Sequence, residues 1–246
     1  MITAAIFRPQ AYEESSKKLL EDLGFRVISR PLIEVRPTGM RPRTDADFIV
    51  FTSANGAKLA LDGVGPEELS RAKICAIGPR TAQVLQAKEI EVDLIPEEYS
   101  SKGLVRAMAP LVSGKRVEVA RSSAGSAVLL EGLNGAGAFV HETVIYTLEC
   151  LKVEGSVIQG ILEEADAFLF TSPLTAQNFL DRAPDQAEAV RILNEKFVGA
   201  IGRPTQARLE YRGVEVDLVP AEATFERLAR ELKEALASVE AATDHP

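Results

Sequence analysis

The most constraining feature of this chain is that it repeats itself out of order. Segment 45–61, DADFIVFTSANGAKLAL, matches segment 164–180, EADAFLFTSPLTAQNFL, with Phe51/Phe170, Thr52/Thr171, Ser53/Ser172 and Ala57/Ala176 in common. A second pair, AKICAIGPRTAQVLQAKEIEVDLIP from Ala72 and KFVGAIGRPTQARLEYRGVEVDLVP from Lys196, shares Ala-Ile-Gly, the Thr four positions after the Ile, and the run E-V-D-L-x-P. A third sets AAIFRPQAYEESSKKLLEDLGFRVISRPLIEV at the N-terminus against VEVARSSAGSAVLLEGLNGAGAFVHETVIYTL from Val117. Both of these read strand, Arg (Arg8 or Arg121), helix, Gly near the helix end (Gly24 or Gly137), strand. The first copy of this third unit opens the chain, whereas its second copy follows the first F-T-S and I-G units. Each copy of a repeat is one supersecondary unit. The economical arrangement is therefore one domain from residues 36–149, inserted into another made of 1–35 plus 150–246, with linker segments near 31–38 and 146–155.

Within each unit an apolar run such as FIVF, ICAI, VEVA, FLF or VGAI precedes a turn and then a segment of helical period. Runs apolar on both faces predict parallel strands covered by helices on both sides. The fold class expected is α/β: two small doubly wound, flavodoxin-like parallel-sheet domains joined by the two-segment linker. The length of 246 residues accommodates two such domains. At the C-terminal end, Phe225, Leu228, Leu232, Leu236 and Val239 form one apolar stripe, predicting an amphipathic helix docked on a sheet.

Ligands of parallel sheets meet the crevice at the carboxyl ends of the strands. Just after the apolar runs stand Arg8, then Thr52, Ser53 and Asn55, then Gly78, Arg80 and Thr81. Arg121 and Ser122, Thr171, Ser172 and Thr175, and Gly202, Arg203 and Thr205 complete the set. Ser and Thr are natural N-caps and Pro173 and Pro204 suit a first helical turn, so each turn alone reads as a helix start. Together they say more. Open N–H groups and the helix dipole favour an anion by about 0.3–1 kcal/mol per turn, or ~2 when partly buried. With four Arg nearby, such turns suit a ligand carrying many carboxylates.

Composition excludes several alternatives. The balance of 28 Lys+Arg against 36 Asp+Glu, a net charge of −8, argues against a general nucleic-acid binder. The N-terminal MITAAIFRPQ has neither a basic n-region nor a membrane-length apolar run, which predicts a cytoplasmic protein without a membrane partner. Two Cys and two His, without C-x-x-C, predict no metal site; Cys75 reads as a buried thiol, His141 as a strand residue and His245 as part of a frayed tail. No P-loop, G-x-G-x-x-G, G-x-S-x-G or H-E-x-x-H pattern is present.

In their combined order these residues resemble the uroporphyrinogen-III synthase family of tetrapyrrole biosynthesis. The resemblance rests on F-T-S from Phe51 through Ala57 and again from Phe170, and on I-G-x-x-T-A at 77–82 with a second copy from Ile201. It includes Y-S-S-K-G-L at 99–104 and V-I-Y-T at 144–147, and runs over essentially the whole chain. It implies a cofactor-free enzyme that binds linear hydroxymethylbilane, a polycarboxylate, between its domains, expels the hydroxyl as water and closes the macrocycle with ring D inverted. In the family route, loss of hydroxide from ring A gives an azafulvene, attack from the substituted carbon of ring D gives a spiro intermediate, and this fragments and recloses. Unaided closure gives the uninverted isomer I, so the task is positioning.

By position, Tyr146 matches the family Tyr that helps the hydroxyl leave by donating a hydrogen bond. Thr81, Thr205, Ser53 and Ser172 match carboxylate binders, and in Y-S-S-K-G-L the resemblance adds Ser101 and Lys102 at a helix start. The second I-G copy carries Gln206 where the pattern has Ala, which puts in doubt only the packing beneath Thr205. Because the two linker segments are the only covalent ties between the domains, closure around substrate is expected; the resemblance further implies a monomer, a role in porphyrin and heme biosynthesis, and a transient contact with the upstream pathway enzyme. The rival reading is a non-enzymatic two-lobed small-anion-binding or sensor module; the absence of a signal peptide weakens its solute-binding form, and the paired turns with Tyr146 favour the synthase.

Overall fold

The computed structural model describes residues 1–62 and 64–243, with side chains through residue 237. His245 and the Val239 side chain of the expected stripe lie outside the described residues. In chain order the elements are β1 (Thr3–Ile6), α1 (Gln10–Asp22), β2 (Arg26–Ser29), β3 (Ile33–Pro37), β4 (Phe48–Phe51), α2 (Ala54–Ala60), α3 (Pro66–Leu69), β5 (Lys73–Ala76), α4 (Pro79–Gln86) and α5 (Ser101–Met108). They continue with β6 (Arg116–Ser122), α6 (Ala127–Gly135), β7 (Phe139–Cys150), α7 (Gly155–Glu164), β8 (Ala167–Phe170), α8 (Pro173–Arg182), α9 (Gln186–Leu193), β9 (Phe197–Ala200), α10 (Arg203–Tyr211) and α11 (Phe225–Thr243). They divide into two compact units, Met1–Glu34 with Glu149–Pro246 (the end unit) and Val35–Leu148 (the middle unit).

The end unit holds a four-stranded sheet in the order β2-β1-β8-β9, parallel throughout. Its central strands β1 and β8 are buried at every residue, as expected of apolar runs covered on both faces. Phe7, Phe168, Phe170 and Phe179 pack together on one face, with Phe7 and Phe179 ring centroids 4.8 Å apart. On the other face Phe225, Leu228 and Leu232 of α11 close the core, and Leu236 packs against it.

The middle unit's sheet runs β3-β7-β6-β4-β5, with β7, β6, β4 and β5 mutually parallel. By the sequence repeat, β6 stands for β1, β7 for β2, β4 for β8 and β5 for β9, so β7-β6-β4-β5 reproduces the spatial order β2-β1-β8-β9. The middle unit is thus a circular permutation of the end unit. In each sheet the strand order reverses at one place, between β1 and β8 or between β6 and β4, and there the carboxyl ends form the crevice that α/β sheets use for ligands.

The repeated acidic residues fasten the strands. Asp166 accepts the N–H of Thr3 and Asp47 that of Arg116, both at 2.8 Å. The Asp of each E-V-D-L run does the same one strand along: Asp93 accepts from Ile74 and Asp217 from Val198, both at 2.7 Å. Leu94 and Leu218 then bridge to Cys75 and Gly199 as matching edge additions. The glycines expected near helix ends fit their turns, Gly24 at φ +94° and Gly137 at φ +86°. After α10 Gly213 takes φ +86°, whereas the repeat-related residue after α4 is Glu89, at φ +60°. No helix among the described residues is long and apolar enough to cross a membrane.

Candidate functional site

At the F-T-S turn of the middle unit, Ser53 leaves β4 with extended backbone and caps α2, its Oγ accepting the Gly56 N–H at 2.9 Å. The same Oγ lies 3.1 Å from the phenol oxygen of Tyr146. Tyr146 reaches it because β7 carries an extra residue. Arg121 pairs with Val144, but the next residue, Ser122, pairs with Tyr146, so Ile145 is bulged out of register. Successive strand residues ordinarily face opposite sides; the bulge lets Ile145 and Tyr146 both join the core beneath α2. Tyr146 is 6% exposed, and an added Cβ on Gly56 would sit 3.0 Å from Ser53 Oγ and 3.6 Å from the Tyr146 ring. Glycine is what lets the helix start approach the pair this closely.

The end unit spends the same serine differently. Ser172 caps α8 by accepting the Thr175 N–H at 3.1 Å, and its Oγ pairs with Thr175 Oγ1 at 2.7 Å. Thr175 is wholly buried, so its hydroxyl is taken up within the helix start. In both F-T-S copies the serine takes up one N–H of its own helix start, Gly56 in α2 and Thr175 in α8.

The two I-G turns are the open ones. Gly78 and Gly202 are N-caps in extended conformation with no side-chain cap, followed by Pro79-Arg80 and Arg203-Pro204. Arg80 and Arg203 are exposed; Thr81 and Thr205, the third residues of their helices, are 3% and 2% exposed. In Y-S-S-K-G-L the capping residue is Ser100, which the sequence reading did not single out. Ser100 Oγ accepts the Gly103 N–H at 3.0 Å and donates to Glu98 at 2.7 Å, while Ser101 and Lys102 are the first two residues of α5. The Ser100 hydroxyl, and Arg106 after it, hold the Glu98 carboxyl below its usual range. The signal for Ser100 lay in the repeat, since Thr224 sits at the matching position and accepts the Arg227 N–H at 3.2 Å.

Arg121 departs from expectation. It is 6% exposed, with Nε on Glu142 at 2.5 Å and Nη1 on the Ser126 carbonyl at 2.6 Å, so its carboxylate partner is an internal one. Ser122 ends β6 beside it, partly exposed. Arg8 donates to Ser16 at 2.9 Å and lies over the rings of Tyr12 and Phe225, 4.8 and 4.7 Å from their centroids. Thr52 and Thr171 are half-buried ahead of their caps, and Asn55 is the second residue of α2. His141 pairs with the fully buried Glu118 at 2.7 Å near the strand starts, the opposite edge of the sheet from the turns. Burial, and then Asp93, push the Cys75 thiol up to about 12, which leaves it inert at neutral pH. Among the described residues no group of three or more His, Cys, Asp or Glu is placed to hold a metal ion.

These features define a class: a duplicated, doubly wound α/β protein in which each unit sets helix starts at the carboxyl ends of its own strands, with one buried tyrosine beside those of the middle unit. The family model described as "Uroporphyrinogen-III synthase HemD" matches residues 14–230, and the chain belongs to that family, enzymes of tetrapyrrole biosynthesis. Similar proteins include the "Putative uroporphyrinogen-III synthase" of Methanothermobacter thermautotrophicus, 30% identical over 227 residues that cover 85% of this chain and 89% of that one. The uroporphyrinogen-III synthase of Chlorobaculum parvum is 26% identical over 254 residues, covering 96% of this chain and 100% of its own. Among solved structures, a mutant uroporphyrinogen III synthase from Thermus thermophilus shares the fold at a TM-score of 0.67, 20% identical, covering 97% of this chain and 100% of that one.

Proposed function

We propose that this chain converts linear hydroxymethylbilane to uroporphyrinogen III, closing the macrocycle with ring D inverted and releasing one water. The observation that carries the reading is the file of atoms from the Gly56 N–H through Ser53 Oγ to the Tyr146 hydroxyl. Ser53 Oγ accepts the Gly56 N–H and either hydroxyl can donate across the 3.1 Å contact to Tyr146; in the proposed arrangement Ser53 is the donor. The phenol proton is then the one left to donate to the departing hydroxyl. A hydrogen bond aimed beforehand at the atom where negative charge develops stabilises the transition state without reorganisation. The hydroxide leaves with that proton as water, the carbon it leaves becomes the electrophile that ring D attacks, and the proton shed as the closing pyrrole ring regains its aromaticity returns to the Tyr146 oxygen.

The remaining work is holding a flexible polycarboxylate in the one conformation that places the substituted carbon of ring D, rather than its free position, against that electrophile. We assign this to the helix starts at Gly78 to Thr81 and Gly202 to Thr205, to Ser172 and to the exposed Arg80 and Arg203, as a set of carboxylate contacts. Lys102 and Arg8 add positive charge. A location in the cytoplasm and action as a monomer that receives substrate from the preceding enzyme belong to the same proposal; cell fractionation and sedimentation test them. The deciding experiment mixes the protein with freshly generated hydroxymethylbilane and separates the product isomers. Isomer III is expected, and only isomer I at the spontaneous rate would end the enzyme reading and revive the anion-binding module.

A further inference from the structure

Tyr99 opens the Y-S-S-K-G-L segment and packs on the I-G turn of the middle unit. A Cβ built on Gly78 would lie 3.4 Å from both Cβ and Cγ of Tyr99. The residue is nevertheless 63% exposed, so most of its surface is presented rather than used in packing. Its position is firmly held. The Ser100 N–H donates to the Glu98 carbonyl at 2.7 Å, the Ser100 hydroxyl donates to the Glu98 side chain, and an added Cβ at Gly103 would run into the Glu98 carbonyl.

The repeat shows which part of Tyr99 the fold requires. Its counterpart is Ala223, whose Cβ lies 3.6 Å from where a Cβ on Gly202 would be, and the same Glu222 to Thr224 turn forms there at 2.7 Å. A methyl group suffices against the turn in the end unit, whereas in the middle unit the Tyr99 ring meets the turn at Cγ and Cδ1 and leaves most of its surface exposed. An exposed aromatic ring on a rigid turn beside the carboxyl end of a strand suits a flat ligand ring, because offset or edge-to-face ring pairs are favourable beyond the area they bury.

We propose that Tyr99 is a substrate-binding residue that stacks one pyrrole ring of the tetrapyrrole against the I-G turn of the middle unit. The inference rests on the functional reading above and deepens it. The substrate's four rings are chemically alike, yet only one is inverted, so the site needs some means of telling them apart. The two I-G turns already differ in the order of Pro and Arg, and an aromatic ring beside one of them and a methyl group beside the other sets them further apart.

The test is steady-state formation of isomer III from hydroxymethylbilane by wild type, Tyr99→Phe and Tyr99→Ala, with thermal unfolding of each. Losing one stacking contact is expected to raise KM about tenfold in Tyr99→Ala and to increase the share of isomer I, while Tyr99→Phe stays within about twofold of wild type. The chain has no Trp, so Tyr99→Trp supplies a single emitter, expected to be quenched by added uroporphyrin. Wild type that makes isomer III while Tyr99→Ala keeps its KM and isomer ratio overturns the inference alone, as does unquenched emission from an active Tyr99→Trp. Wild type that yields only isomer I removes the functional reading and this inference with it.

Discussion

The two F-T-S turns begin as the same three residues after the same kind of strand, and end in different chemistry. In both, the serine oxygen caps the helix that follows. In the end unit its second contact is Thr175, a residue of its own helix, and the turn closes on itself. In the middle unit its second contact is Tyr146, delivered from a strand two places away in the sheet. The difference teaches that the motif supplies only an oriented hydroxyl. What that hydroxyl does is decided by the neighbouring strand, and in the middle unit by one bulged residue in β7.

The comparison breaks most visibly at Tyr146. Tyr146→Phe removes one oxygen from the middle turn and none from the end turn, and we expect kcat for isomer III to fall on the order of 10²-fold with the thermal midpoint within a few degrees of wild type. Unchanged kinetics would take Tyr146 out of the mechanism and reduce the contrast between the turns to packing.

Paired substitutions of the serines sharpen the contrast at smaller amplitude. Ser53→Ala and Ser172→Ala each lose an N-cap, worth about 1 kcal/mol of stability measured by urea unfolding. Only Ser53→Ala should also lower kcat, by about tenfold, because only it releases the Tyr146 hydroxyl; Ser172→Ala should act on KM. Equal kcat values for the two variants would show that the Tyr146 contact has no catalytic consequence.

The smallest expected effect concerns the backbone after the I-G helices. Glu89 occupies the left-handed region where its counterpart is Gly213, a conformation that costs a side-chain-bearing residue roughly 1–2 kcal/mol, partly offset by glycine's larger unfolded-state entropy. Glu89→Gly should therefore stabilise the chain by about 0.5–1 kcal/mol, and Gly213→Ala should destabilise it by a similar amount. A destabilising Glu89→Gly would mean that the Glu89 side chain contributes a contact worth more than the strain.

Much of this was legible in the residues because the repeat pairs positions that share a physical job. The apolar runs became buried parallel strands, and the Gly of the third pair became left-handed turns. The Asp of E-V-D-L became a strand fastener, a role that its spacing alone did not reveal. Other facts depend on pairings that no local pattern encodes. Glu142 follows Arg121 at a distance along the chain and meets it only because β6 and β7 lie side by side, so an arginine that reads as a ligand contact turns inward. The bulge at Ile145 is a matter of register between two strands that are both apolar near their ends. Ser100 and Ser101 are adjacent and chemically identical; which of them caps α5 depends on the close approach of Gly103 to the Glu98 carbonyl. Tyr99 stands in a recognisable motif, but its interest emerges only when Ala223 is set against it.

The permuted order of the sheets also bears on when each unit can be completed during synthesis. The middle unit has all of its strands once residue 150 has left the ribosome. β1, by contrast, emerges first and is the wholly buried neighbour of β8, which is translated last but one among the strands. At ~5–20 residues per second, that apolar strand waits for its partner for roughly ten seconds or more, while an entire α/β unit is made in the interval. One unit is thus assembled from a continuous piece, and the other only by joining a segment made before that piece to one made after it.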